Sequence, residues 1–384
     1  MNPIYRDMPT TIFEAMSMRA RAAGAINLGQ GFSDGPRNDA VIDAACDALQ
    51  QRSNQYPPMI GIPELRGAVA DWYRRHQQLE LGPDEVVVTS GATEAIAAAL
   101  LAVISPGDEV LLFQPLYDAY LPLVQRAGGV ARIVTFDPSG WRIDAEALAA
   151  SITPRTRALV FNDPMNPMGT CAHPDDLALL ARICAEHDLI AICDEVWEAL
   201  VYDGAQHRSL MQHPGMRERT VKIGSAGKIF GLTGWKVGWM CAAPSLARIL
   251  AKAHQFLTFT TPPNLQWAVA QGLASQDDWI AMARDQHQAS RDFFCAGLRA
   301  LGLVTVPSAA TYFVSVDLSA SRMAIDDVAF CDAIIDQAGV AAIPISAFYA
   351  EAAPRHLVRF CFAKERATLQ EALDRLAAAL PRLG

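Results

Sequence analysis

No Cys-x-x-Cys pair occurs among the eight cysteines of this 384-residue chain, which stand singly among apolar neighbours such as "FFCAG" and "RFCFA". That excludes the ligand spacing of zinc ribbons and small disulfide scaffolds, and it fits free thiols in a reducing cytoplasm. Long apolar runs are missing too. The longest, Ala95–Ile104, is too short for a bilayer, and the opening "MNPIYRDMPTTIFEAM" has no secretory-type apolar stretch. Basic stripes are absent: acids and bases alternate through a chain of formal net charge −9, which argues against a nucleic-acid binder. No internal repeat or low-complexity segment occurs. The expectation is a cytoplasmic protein.

What is present is a large apolar fraction, 51% of the residues, enough for one large α/β unit and a smaller companion. Short β-branched runs read as strands at 85–90, 109–114, 158–163, 189–195 and 221–225. Between them lie helical patterns at Thr93–Ile104, Asp175–His187 and Tyr117–Arg126. Apolar strands interleaved with helices predict a mostly parallel sheet covered on both faces, with ligands outside the strands' carboxyl ends. From about residue 270 the pattern changes to a long helix, Asp277–Leu301, followed by mixed strands and helices. The predicted division is an N-terminal arm (1–35), a large domain (36–270) and a small α+β domain (271–384).

Several short motifs admit two readings each. Ser90–Thr93 in "TSGATEAIAA" is an ordinary strand-to-helix turn or an anion cradle at a helix N-terminus. Asp194 in "ICDEVWE" is a helix cap or a buried carboxylate that needs a cationic partner. Asn166 in "NDPMNPMG" sits in a turn that needs no further role. Arg359 in "RFCFA" is an edge arginine or a fork for a carboxylate. The glycines of "GQGFSDG" have the wrong spacing for a dinucleotide fingerprint. "SAGK" matches S-x-x-K of the serine β-lactamases, but no S-D-N or K-T-G follows.

Together, "NLGQGF", "NQYPP", "SGATEAI", "YDAY", Asn166-Pro-x-Gly, "DEV", "SAGK…TGWKVGW" and "VRFCF" resemble the pyridoxal 5′-phosphate (PLP)-dependent aminotransferases of the aspartate aminotransferase superfamily. The similarity extends from Phe13 to the last helix and is nearest the kynurenine/glutamine, methionine and N-succinyldiaminopimelate aminotransferases. The resemblance implies the PLP-dependent transferase fold. It also makes Lys228 the Schiff-base lysine, and Ser225, Lys236 and the N–H groups of Ala92 and Thr93 a phosphate cradle. Asp194 would pair with the ring nitrogen, Asn166 would reach the phenolic oxygen, and Tyr117 would stack on the ring. Arg359, with backbone at Gly31, would bind the substrate carboxylate. Tyr56 would reach the phosphate of a second subunit, which implies a homodimer. Phe13, with Phe259 and Thr260 from the partner, would line the side-chain pocket.

Two residues depart from the family pattern: Trp197 replaces a tyrosine, and Ala310 replaces a glycine, so a positive-φ loop there would have to relax. The expected activity is transamination of a neutral, aromatic or methionine-like amino acid by a ping-pong mechanism. N-succinyldiaminopimelate transamination and carbon–sulfur β-lysis are the alternatives. A PLP-sensing regulator is disfavoured, because no DNA-binding segment stands ahead of Phe13.

Overall fold

The computed structural model describes residues 1–6 and 8–383. Helix Ile12–Ala22 opens at Thr11, whose hydroxyl accepts from the Glu14 N–H. Strand β1 (Ile26–Asn27) follows. The main sheet contains β2 (Val86–Thr89), β3 (Glu109–Gln114), β4 (Val130–Thr135), β5 (Thr156–Asn162), β6 (Ile190–Asp194), β7 (Thr220–Ser225) and β8 (Gly238–Cys241). Its spatial order is β2-β8-β7-β6-β5-β3-β4.

Strands β4, β3, β5, β6 and β7 run parallel, whereas β8 is antiparallel to both β7 and β2. The sequence reading includes neither β4 nor β8. The reversal at β8 has a local cause. Between β7 and β8 the chain forms only the one-turn helix Ala226–Ile229 and a 3-10 turn at Thr233–Trp235, so it comes straight back instead of crossing over.

Both faces of the sheet are apolar, and alternate residues part to opposite sides. Val110, Leu112, Val160, Ile192 and Ile223 pack with helix Gly91–Val103. Leu111, Phe113, Leu159, Phe161 and Cys193 pack with helix Pro174–Glu186. Each fully buried leucine here contributes about 2 kcal/mol of transfer free energy. This double burial is why the strands read as continuous apolar runs.

The remaining strands are β9 (Val304–Thr305), β10 (Phe313–Asp317), β11 (Val340–Ala341), β12 (Ile343–Pro344) and β13 (Leu357–Cys361), and helix Arg366–Ala379 follows them. Four of them form an antiparallel sheet in the order β12-β13-β10-β9. Strand β11 pairs in parallel with β1, Ile26 opposite Val340. Met16, Ala20 and Leu28 thereby join a core with Phe294, Val314 and Phe360. Among the described residues no helix is long and apolar enough to cross a membrane, and all eight cysteines are free.

Candidate active site

Asn162, Asp194 and Ser225 end β5, β6 and β7 side by side, at the carboxyl edge of the parallel strands. The N-terminus of helix Gly91–Val103 faces them. The cavity between them, about 200 Å3, is lined also by Ala92, Thr93, Tyr117, Asn166, Trp197, Lys228 and Lys236. The first N–H groups of that helix lack intrahelical partners and make an anion-binding end. Gly91 turns into the helix at φ 78°, and a Cβ there would lie 3.2 Å from Lys236 Cε. The lysine can close over the cradle only because that position is glycine. Lys236 has no ion-pair partner among the described residues, so a charged group is available for an anionic ligand.

Lys228 is carried by the one-turn helix after Ser225, with its Nζ 4.3 Å over the Trp197 ring. Burial lowers its pKa to about 8; Arg359 and Lys236 push the same way, and Asp194 opposes them. Trp197 is itself buried, packed edge-on against Tyr312 at 4.8 Å and Phe313 at 5.6 Å. An indole face thus meets the amine at the position where the family tyrosine would present a hydroxyl.

Asp194 is buried, accepts a 2.6 Å hydrogen bond from Tyr120 Oη, and has no ion-pair partner among the described residues. Burial raises its pKa, while Tyr120, the Val196 N–H and Lys228 hold it down. Such a carboxylate fits a protonated ring nitrogen. Tyr117 stands beside it with its phenol pushed up to about 12, chiefly by burial. No helix follows Asp194, which disposes of the capping role.

Arg359 lies in the middle of the small antiparallel sheet rather than at an edge, between β10 and β12. It is 1% exposed, donates to Asn166 Oδ1 at 2.8 Å and to the Gly29 carbonyl at 2.7 Å, and leaves Nε without a partner. Its guanidinium lies 3.8 Å over Phe313, with Phe13 and Phe348 at 5.2 and 5.1 Å. Burial lowers its pKa, and no carboxylate pairs with it among the described residues. A buried arginine without an acid has the charge and the fork geometry to take a carboxylate.

Residues 23–376 match the family model of the class I and II aminotransferases. The chain belongs to that family. This aminotransferase is 44% identical to a probable N-succinyldiaminopimelate aminotransferase of Mycobacterium tuberculosis, over 97% of this chain and 96% of that protein. It is 39% identical to the methionine aminotransferase of Escherichia coli, over 96% and 95% respectively. The solved structure of the M. tuberculosis N-succinyldiaminopimelate aminotransferase superposes with a TM-score of 0.93, covering 98% of this chain and 99% of that one. The fold is therefore that of the PLP-dependent transferases, and the family uses PLP. The residues present fit it: an anion cradle, an uncommitted lysine, and a buried acid without a cation.

Some expected residues of the aminotransferase lie outside the cavity of their own chain. Tyr56 is 83% exposed and packs edge-on against Phe259 at 5.4 Å. Thr260 follows Phe259, which has φ 64°, and buries an unpartnered hydroxyl. Gly31 packs on Phe313, since a Cβ there would approach its ring to 2.5 Å, and Phe313 carries Arg359. Ala310 needs no positive φ: it bridges to Val201, and Thr311 takes φ 71° instead.

The sequence reading missed Asn162 and Tyr120. Asn162 Nδ2 donates to the Asp194 carbonyl at 2.8 Å, and its Oδ1 accepts from the Asn166 N–H at 2.8 Å. Its signal was a polar residue ending an apolar strand. Tyr120 lay in the quoted "YDAY", but only its partner Asp194 gives it a role.

Proposed function

We propose that the residues around this cavity carry transamination with a neutral, aromatic or methionine-like amino acid as donor. Lys228 would attach the cofactor, and Ser225, Lys236 and the N–H groups of Ala92 and Thr93 would hold its phosphate. Asp194 would keep the ring nitrogen protonated. Tyr117 would cover one ring face, and Asn166, whose Oδ1 already accepts from Arg359, would offer Nδ2 to the phenolic oxygen. When bound, PLP supplies the electron sink for the substrate α-carbon and carries the amino group to the acceptor oxo acid.

The chain's own contributions are binding and proton movement. Arg359 grips the substrate carboxylate with help from backbone at Gly31, which fixes the α-carbon relative to Lys228. The Lys228 amine takes the α-proton as general base and returns it as general acid. The lowered Lys228 pKa of about 8 supports this role, because an ammonium cannot accept a proton.

The observation that carries the reading is buried Arg359, without an acid partner among the described residues and set among Phe13, Phe313 and Phe348. The aromatic rings around it favour a neutral side chain. The 44% identity to a probable N-succinyldiaminopimelate aminotransferase supports that substrate as a second reading. Absorbance of the PLP-loaded protein, mixed with single amino acids and no oxo acid, tests both. Conversion to the pyridoxamine band with methionine or phenylalanine supports the first reading. Conversion confined to N-succinyldiaminopimelate supports the second. Pyruvate and thiol release from a cysteine conjugate would identify a lyase.

The same reading includes a cytoplasmic homodimer built on the arm 1–35, a large domain 36–270 and a small domain 271–384. Exposed Tyr56 and Phe259, whose rings touch, support the dimer, since they make an apolar spot from which Tyr56 would reach a second copy's phosphate. Light scattering checks it, with a monomer as the adverse result.

A further inference from the structure

Directly behind the cavity lies a buried cluster of charge that the roles above do not use. Asn162 and Asp194 are paired in register across β5 and β6, and both line the cavity. The residues that follow them, Asp163 and Glu195, are also buried, at 4% and 2% exposure. Both carboxylates meet one imidazole: His207 Nε2 is 3.3 Å from Asp163 Oδ2 and 3.6 Å from Glu195 Oε2. The two strand ends are further joined by the Asp163 N–H, which donates to the Asp194 carbonyl at 3.1 Å.

The remainder of the cluster is already satisfied. Lys222 on β7 bridges Glu195 and Glu198. Glu198 also accepts from Tyr73 Oη at 2.8 Å and Gln77 Nε2 at 2.6 Å, and Glu195 accepts from Ser209 Oγ at 2.9 Å. Glu195, Glu198 and His207 lie close enough to hold a metal ion, but the Lys222 ammonium already serves as their cation. Among the described residues, the charged groups facing this interior are thus Asp163, Glu195, Glu198 and Lys222. The thiols nearby, Cys171 and Cys193, are pushed upward by burial and stay neutral. Three carboxylates against one ammonium leave an excess of negative charge unless His207 carries a proton.

We propose that protonated His207 is a clasp that holds the ends of β5 and β6 together from behind, so that Asn162 and Asp194 keep their spacing towards the cofactor. It is a positioning residue for PLP, and the proposal rests on the site assignment above. Loss of the proton would leave Asp163 and Glu195 facing each other without a shared cation. Their repulsion would spread the strand ends, and it would add negative potential behind Asp194, whose pKa Glu195 already raises. Burial opposes charge on His207, yet Glu195 and Asp163 outweigh it, so its pKa is raised overall. The sign follows. The clasp is complete below the ordinary imidazole value of about 6.5 and is lost as pH rises through the elevated folded value.

The test is PLP affinity as a function of pH, read from the absorbance of the cofactor bound to the full chain, for wild type and His207→Gln. Taking the ratio of the two cancels the pH dependence of the cofactor itself. At low pH the wild type should bind at least ~10-fold more tightly, equivalent to about one pK unit of coupling, and the curves should converge at high pH. A constant ratio at all pH values would mean His207 only fills space and would overturn the clasp. Asp163→Asn is the second variant: with one carboxylate gone, the convergence should move to lower pH. An unmoved convergence point would also overturn the proposal. If wild-type protein binds no PLP at any pH, the site assignment fails, and the clasp fails with it.

Discussion

Arg359 and Asn166 are joined by a 2.8 Å hydrogen bond that links β13 of the antiparallel sheet to the turn after β5 of the main sheet. The proposed substrate fork and the proposed cofactor contact are therefore one connected unit. Replacing Arg359 by alanine removes the fork and frees Asn166 at once. We expect KM for amino acids to rise by about 30–100-fold, corresponding to a charge-assisted interaction of ~2–3 kcal/mol. An amine lacking the carboxylate should lose much less. Equal losses for both would count against the role.

Lys228→Ala should lower transamination by about 10⁴-fold or more, because the amine proposed to move the α-proton is gone. Circular dichroism should show an unchanged fold, since the side chain makes no ion pair among the described residues. Substantial residual turnover would refute the assignment of Lys228.

Cofactor uptake should depend on pH through the same amine. With its pKa lowered to about 8, Lys228 is an ammonium below that value and a nucleophile above it. The rate of PLP recombination with the apoprotein should rise by about tenfold per pH unit below this point and level off above it. A rate that levels off only near pH 10 would show that burial does not lower Lys228.

Gly91→Ala should weaken PLP binding without unfolding the chain. The residue holds φ 78°, and the new Cβ would crowd Lys236 Cε and Nζ at 3.2 and 3.3 Å. Backbone strain of this kind costs about 1–3 kcal/mol. Equilibrium dialysis of PLP reads the effect, and wild-type affinity in the variant would contradict the cradle.

Lys222→Met tests the buried cluster as a source of stability. The side chain is wholly buried between Glu195 and Glu198, and its loss leaves Glu198 without a cation and Glu195 with His207 alone. Urea unfolding should show a loss of about 3–5 kcal/mol. A loss below ~1 kcal/mol would mean the carboxylates take up protons without difficulty.

Much of the fold was legible because β-branched runs and helical periodicity are local properties. Glu109–Gln114 is read to the residue, and helix Pro174–Glu186 to within one. Strand β8 was not legible: "GWMC" has no alternation, and it becomes a strand only because β2 and β7 flank it. Motifs singled out Lys228 and Asp194, which the fold brings to one cavity, and Arg359, which it buries beside Asn166. Asn162 and His207 stayed hidden, since an asparagine at a strand end and a lone histidine acquire meaning only from their neighbours in space.

The sequence by itself determined the chemistry at hand: which lysines, acid, amide and arginine exist, and in what order along the chain. Tertiary structure decided which of these groups are short of partners. Arg359 lies 193 residues from Asn166 along the chain, yet its charge is buried against aromatic rings, with no acid paired to it among the described residues. Asp194 is buried with a tyrosine hydroxyl but, among the described residues, no ion-pair partner. Unmatched charge is a property of three-dimensional surroundings, because burial makes each unpaired ion costly and thus selective for a ligand of opposite sign. Order along the chain cannot express that balance.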